Sequence, residues 1–197
     1  MLQTVWNFGE TNSAVESVPF NPGVQNSWTP FFLKLLASRG LEAPAEIEHF
    51  LNPSSKNFFD PFLMKGMKEA VARIQKAAAF QEKVLVHGDY DVDGITGSAI
   101  VSLVLEKIGV PHETFLPERA KDGYGVSGEA IERAERDRVK LLITVDCGIS
   151  AKEEIEKAKS AGIDAIILDH HHLPSKGLPP AMAILNPLQE DCNYPFK

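Results

Sequence analysis

Short apolar runs alternate with helical patterns from residue 84 onward, and this alternation restricts the possible folds more than any other feature. The predicted elements are strands at 84–87, 112–116, 141–145 and 163–168 and helices at 96–109, 128–137 and 151–161. The run Leu141–Val145 is apolar on both faces, as parallel strands covered by helices are. Ser150 and Glu153 have the spacing of a capping box at the start of the last helix. The sequence therefore predicts an α/β fold with a doubly wound, mainly parallel sheet.

The chain before this region has a different pattern. Residues 1–66 are predicted to form a small helical N-terminal segment, with helices over 31–38 and 45–51. An amphipathic helix over 67–78 would then pack on the sheet. We therefore predict two domains, the segment 1–66 and an α/β domain over 67–197.

Composition excludes several classes of protein. A chain of 197 residues that is 44% hydrophobic can bury a core. No apolar run reaches the roughly 20 residues of a membrane span, and the first residues lack the layout of a signal peptide, so we expect a cytoplasmic protein that does not bind membranes. Cys147 and Cys192 are too few for a disulfide framework or a cysteine zinc site, and we expect two reduced thiols.

The net charge of −7 is unevenly distributed. Residues 1–83 hold eight basic and eight acidic side chains, whereas residues 84–197 hold 12 basic and 19 acidic ones. Bound divalent cations would neutralise much of this local excess, so the acidity does not exclude a substrate that carries phosphate groups.

The densest group of acidic residues follows the first predicted strand. His87, Asp89, Asp91 and Asp93 occupy alternate positions between an apolar run and a helix. Alternate side chains of an extended or tightly turning segment share a face, so these four are expected to converge. So many carboxylates at one place indicate a cation site.

Two alternatives explain this stretch less well. The pattern Asp-x-Asp-x-Asp-Gly also opens an EF-hand loop, but the twelfth position, where that loop needs a glutamate, is Ile100, and the preceding segment resembles a strand. A solvated acidic turn would leave three carboxylates repelling one another beside a histidine, and a turn needs only one aspartate.

Two further polar groups follow the later strands. Asp146 comes directly after the strand at 141–145, and Asp169 with His170–His172 follows the strand at 163–168. Ligands of doubly wound sheets bind beyond the carboxyl ends of the strands, where these residues would meet the first acidic group. Three adjacent histidines cannot all face one ion, so at least one of them is expected to support the site or to lie on the surface.

Carboxylates mixed with imidazole indicate Mn²⁺ or Mg²⁺, and the histidines favour manganese. Several aspartates that can bridge ions indicate two of them, which together suit phosphodiester hydrolysis.

A loop between the second strand and the next helix offers groups for an anion. Arg119 can form a bidentate contact with phosphate, glycines flank Tyr124, and Ser127 can cap the following helix. The alternative is a tight loop with a solvated arginine.

Five segments resemble the DHH phosphoesterase superfamily, and within it the RecJ family of exonucleases specific for single-stranded DNA. The matching segments are His87–Gly94, Gly123–Gly125, Thr144–Gly148, Asp169–His171 and Asp191–Phe196. The resemblance covers residues from about 84 to the end, and the helical segment before them is also similar to that of RecJ.

The resemblance assigns roles to individual residues. The metal ligands it implies are His87, Asp89, Asp91, Asp93, Asp146 and His170. The catalytic residues it implies are Asp91, Asp93, Asp146, His170 and His171, with Asp169 in support. Arg119 and Tyr124 would lie near a 5′-terminal phosphate, and Ser127 of the same loop is counted as a phosphate or DNA contact.

The resemblance also implies an activity. It is the 5′-to-3′ hydrolysis of single-stranded DNA to mononucleotides with Mn²⁺ or Mg²⁺, in DNA recombination and repair, with single-stranded-DNA-binding protein as a partner. The family's fourth motif and second domain would lie beyond Lys197, so these 197 residues alone are expected to be weakly active or inactive. Two other functions stay open: a DHH phosphoesterase for short oligonucleotides, cyclic dinucleotides or pyrophosphate, and a catalytically silent DHH scaffold.

Overall fold

A computed structural model of the protein describes residues 30–118 and 125–195. The chain divides into two compact units between Phe58 and Phe59, earlier than the boundary predicted after residue 66.

The first unit contains two short helices, α1 (Pro30–Ala37) and α2 (Pro44–Leu51), and a 3-10 turn at Ser55–Asn57. Gly40, after α1, adopts a left-handed conformation with φ of 79°, as is typical of glycines that follow a helix. Both helices match the predicted ones closely.

The second unit contains the α/β domain. After a 3-10 turn at Pro61–Leu63 its elements are α3 (Met67–Phe80), β1 (Val84–Gly88), α4 (Val92–Lys107), β2 (His112–Phe115), α5 (Gly128–Arg136), β3 (Leu141–Val145), α6 (Lys152–Ser160), β4 (Asp164–Leu168) and β5 (Ala183–Leu185). The five strands form one sheet in the order β2-β1-β3-β4-β5, and every pairing is parallel. The predicted fold class is confirmed, and β5 is a strand that the sequence analysis missed.

Successive side chains of the central strands enter two different cores. Val84 and Val86 pack on one face of the sheet with Ala70 and Ala77 of α3. Leu85, between them, packs on the other face, in the core to which α5 and α6 contribute. Both faces are therefore covered, which explains why every residue of β1 and β3 is buried and why most of them are apolar.

Two helix starts differ from the prediction. The helix α4 begins at Val92 and not at Thr96, because the Asp91 carboxylate accepts hydrogen bonds from the backbone N–H groups of Asp93 and Gly94 and so caps the helix. The residue that caps α6 is Ala151, without a side-chain hydrogen bond, so the predicted capping box at Ser150 does not form.

Candidate metal centre

Three strands of the sheet end beside an aspartate, and these aspartates lie side by side. The N–H of Asp89, after β1, donates to the carbonyl of Val145 at 3.2 Å, and the N–H of Asp146, after β3, donates to Leu168 at 2.8 Å. The N–H of Asp169, after β4, donates to Leu185 at 3.1 Å. Each aspartate thus extends the parallel hydrogen-bonding pattern by one step, which places the three residues in a row along the carboxyl edge of the sheet.

The start of α4 brings further carboxylates to this edge. Because the helix begins at Val92, Asp93 lies in its first helical turn and Asp91 at its cap. The carboxylates were expected to converge in an extended or tightly turning segment between strand and helix, and the helix begins within that segment. The cap holds Asp91 at the edge, while the Asp93 side chain is 74% exposed.

Gly94 allows this turn to be compact. A Cβ atom at Gly94 would lie 2.5 Å from the backbone nitrogen of Asp89 and 2.6 Å from its carbonyl oxygen. A side chain there would push the helix away from the end of β1. The glycine of the Asp-x-Asp-Gly sequence therefore serves the close packing of the helix against Asp89.

Asp146 occupies the centre of the site. Its φ of 60° lies in the left-handed region, which a non-glycine residue rarely adopts. Burial raises the pKa of its carboxyl group, and the negative charges of Asp93 and Asp91 raise the pKa further. A buried carboxylate with two acidic neighbours is a group whose charge a cation would stabilise.

The two histidines after β4 approach this carboxylate. His170 places Nε2 at 3.1 Å from Oδ1 of Asp146 and at 3.8 Å from Oδ2 of Asp93. The His171 ring stands 4.8 Å from the His170 ring, measured between centroids. His172 is exposed.

Asp169 orients His171. Its Oδ1 lies 2.7 Å from Nδ1 of His171 and accepts the His171 backbone N–H at 3.0 Å, while Oδ2 accepts the N–H of Ile149. The hydrogen bond from Asp169 raises the pKa of the His171 imidazole. With Nδ1 engaged, Nε2 is the nitrogen through which His171 can contact a metal ion or a substrate oxygen.

Two groups of ligand atoms are close enough to hold a cation among the described residues. One group comprises Asp146, His170 and His171, and the other comprises Asp89, Asp91 and Asp146; within each group the ligand atoms lie within 4.8 Å of one another. Asp146 belongs to both. The two groups are therefore adjacent and share one carboxylate.

The buried oxygens of this edge fit bound cations. Oδ1 of Asp89, a residue only 3% exposed, has no hydrogen-bond partner within the described part of the chain, whereas Oδ1 of Asp146 has Nε2 of His170 at 3.1 Å. A buried carboxylate oxygen without a donor is costly, and a cation would compensate for that cost. The mixture of carboxylate and imidazole ligands suits Mn²⁺ and Mg²⁺.

His87 and Ser127 lie deeper than these two groups. His87 is fully buried; its Nε2 accepts the Ser127 N–H at 3.4 Å, its Nδ1 is 3.6 Å from Sγ of Cys147, and its ring stacks on Phe115. Ser127 caps α5 by accepting the Ala130 N–H, as its position in the sequence indicated. Arg119 and Tyr124 lie outside the described residues.

The sequence analysis overlooked Asn186. It directly follows β5, is fully buried, and donates from Nδ2 to the His171 carbonyl at 2.9 Å. The signal was an Asn-Pro pair after the short apolar run 183–185, at the same edge as the three aspartates.

Comparison with known proteins agrees with this geometry. The model of the DHH family, N-terminal domain, matches residues 83–194, which hold the whole sheet and every residue of both ligand groups. This chain belongs to the DHH family.

Two relatives of this DHH chain are exonucleases specific for single-stranded DNA. It is 42% identical to the single-stranded-DNA-specific exonuclease RecJ of Bacillus subtilis over 169 residues, or 86% of this chain and 21% of that protein. It is 38% identical to RecJ of Escherichia coli over 85% of this chain and 28% of that protein. The DHH chain therefore spans less than a third of the length of these relatives.

Two solved structures resemble the DHH chain. A crystal structure of exonuclease RecJ bound to manganese superposes with a TM-score of 0.61 at 32% identity, over 70% of this chain and 37% of that one. RecJ from Thermus thermophilus in complex with Mn²⁺ superposes with a TM-score of 0.60 at 28% identity, over 80% of this chain and 21% of that one. The predicted resemblance to RecJ is confirmed by sequence and by structure.

Proposed function

We propose that this chain is the metal-binding part of a 5′-to-3′ exonuclease that hydrolyses single-stranded DNA to mononucleotides. The observation that carries the proposal is the shared position of Asp146 in two adjacent groups of ligand atoms. The RecJ relatives are named as exonucleases specific for single-stranded DNA, and this supports single-stranded DNA as the substrate.

The ligands proposed for two Mn²⁺ or Mg²⁺ ions are Asp89, Asp91, Asp93, Asp146 and His170, with His87 as a further ligand from the superfamily resemblance. A pair of divalent ions, when bound, supplies an activated water and stabilises the leaving oxygen of an in-line displacement. The residues of the chain would hold the side chains around the ions in position. The helix cap holds Asp91, and the hydrogen bonds of Asp169 hold His171. His171 would contact, through Nε2, the cation that Asp146 and His170 hold.

The remaining proposals follow from the resemblance. Arg119, Tyr124 and Ser127 would form the contact with the 5′ phosphate. Residues 1–66 would form an accessory segment that precedes, in the sequence, the DHH domain at 67–197. A role in recombination and repair, a cytoplasmic location and an interaction with single-stranded-DNA-binding protein stay predictions. Among the described residues no helix is both long and apolar enough to cross a membrane.

The test is degradation of 5′-phosphorylated single-stranded DNA with Mn²⁺. The protein is assayed as this chain and as a chimera in which it replaces the matching segment of Bacillus subtilis RecJ. Duplex DNA, dinucleotides and cyclic dinucleotides serve as competing substrates. We expect mononucleotides to be released from the 5′ end by the chimera and not by its Asp91→Asn variant.

Two other outcomes of this assay would favour the alternative functions. A preference for dinucleotides would indicate that the protein is another DHH phosphoesterase and not an exonuclease. A chimera that is folded, binds no Mn²⁺ and cleaves none of the substrates would indicate a silent scaffold.

A further inference from the structure

The turn after β5 contacts the segment that carries the two site histidines. Asn186 is fully buried, and its side chain makes one hydrogen bond in each direction. Nδ2 donates to the carbonyl of His171 at 2.9 Å, and Oδ1 accepts the N–H of Leu188 at 2.9 Å. One side chain therefore connects the histidine segment to the turn that follows β5.

The turn that carries Asn186 is itself held rigidly. Gln189 is 6% exposed, and its Nε2 donates to the carbonyl of Ile184 at 2.7 Å and to that of Asn186 at 3.3 Å. The backbone N–H of Gln189 also donates to the Asn186 carbonyl at 3.3 Å. The amide of Asn186 thus projects from a fixed support and not from a flexible loop.

His171 is consequently held at two points. Asp169 binds its ring at Nδ1 and its backbone N–H, and Asn186 binds its backbone carbonyl. Without the second contact, the peptide unit after His171 would lose the hydrogen bond that Asn186 donates to its carbonyl. The backbone that carries the ring would then be less restrained, and the ring could change its angle relative to His170 and Asp146.

We propose that Asn186 is a positioning residue of the metal centre, which acts by fixing the backbone at His171. This inference rests on the proposed function, since it assumes that the group Asp146, His170 and His171 binds a divalent cation. Asn186 contacts neither cation nor substrate; it sets the geometry of residues that do.

The test compares Asn186→Ala with Gln189→Ala. Both substitutions remove a buried amide from the same turn, but only Asn186 donates to the histidine segment. Binding of Mn²⁺ to each variant is measured by electron paramagnetic resonance, and the melting temperature reports general damage to the fold. We expect Asn186→Ala to bind Mn²⁺ about tenfold more weakly than Gln189→Ala does, the size of effect typical for residues that orient metal ligands.

A second measurement does not depend on metal. In EDTA, the ¹⁵N chemical shifts of the His171 ring report whether Nδ1 still carries the hydrogen bond to Asp169. We expect the shifts to move in Asn186→Ala toward the values of an averaged imidazole and to move clearly less in Gln189→Ala, which keeps the Asn186 amide that donates to His171.

The outcomes separate the two proposals. If wild-type protein binds no Mn²⁺ but the ring shifts move in Asn186→Ala, the proposed metal site is contradicted. The role of Asn186 in positioning His171 is then still supported. Ring shifts and Mn²⁺ affinity that are equal in both variants would overturn the positioning role of Asn186, whatever the melting temperatures.

Discussion

Nε2 of His170 lies 3.1 Å from Oδ1 of Asp146, although the two residues follow different strands. The same nitrogen lies 3.8 Å from Asp93, in the first turn of α4. One imidazole therefore joins groups that come from the ends of three neighbouring strands. The site depends on the parallel sheet, because only parallel strands bring their carboxyl ends to one edge.

Removal of the Asp146 charge should stabilise the protein when no metal is present. Burial and the charges of Asp91 and Asp93 raise the pKa of this carboxyl group, which means that its ionised form is unfavourable in the folded state. Asparagine also tolerates the left-handed backbone at this position better than most residues do. We expect urea unfolding of Asp146→Asn in EDTA to give a higher free energy of unfolding than wild type at pH 7. Equal or lower stability would contradict the inferred electrostatic cost.

The role of Asp91 as a helix cap can be separated from its role as a ligand. Asparagine caps helices as well as aspartate does, whereas alanine does not. We expect Asp91→Ala to lose about 1 kcal/mol of stability and Asp91→Asn much less. Both variants should lose Mn²⁺ binding, since neither has a carboxylate. Retention of wild-type Mn²⁺ affinity in Asp91→Asn would remove Asp91 from the ligand set.

The stability of the domain should depend on pH through Glu113. Hydrogen bonds from Lys83 and then Arg133 hold the pKa of this carboxyl group below its ordinary value of 4.5. The stability that Glu113 contributes is therefore present above pH 4.5 and is lost as the pH falls through its lower, folded-state pKa. Glu113→Gln should be less stable than wild type by about 0.5 kcal/mol at pH 7, as is usual for partly exposed ion pairs. A difference that does not shrink in acid would show that charge is not its origin.

Arg73 should be important for stability and unimportant for metal binding. Its side chain, 3% exposed, lies 2.6 Å from Asp164 and 2.7 Å from Glu82, and it donates to the carbonyl of Lys140. Arg73→Met would leave these partners without a cation, at a cost of about 3 kcal/mol. Chemical denaturation measures the cost, and unchanged Mn²⁺ affinity is expected because these partners lie at the beginnings of β1, β3 and β4, at the opposite edge from the site.

The sequence was sufficient to predict the fold class because the signals were local and repeated. The central strands contain runs of apolar residues and are followed by Asp89, Asp146 and Asp169, so both their burial and the edge on which they converge could be inferred. The three residues of β5 were missed, since so short a run resembles any loop with a few apolar side chains.

The details of the site depended on backbone geometry that spacing does not show. The alternation of Asp89, Asp91 and Asp93 indicated an extended or tightly turning segment, but it did not show that the cap formed by Asp91 starts the helix at Val92. The contact between Asn186 and His171 could not be predicted from spacing, because the pairing of β4 with β5 brings these two residues together.

The most direct test of the shared carboxylate is the number of Mn²⁺ ions that the chain binds. Titration followed by electron paramagnetic resonance should give two ions for wild type, because Asp146 serves both groups of ligand atoms. Asp146→Asn should lower the affinity for both ions by at least about tenfold, since each site loses a ligand. One ion in wild type, or a variant in which one site keeps its full affinity, would contradict the account of two cation sites joined at Asp146.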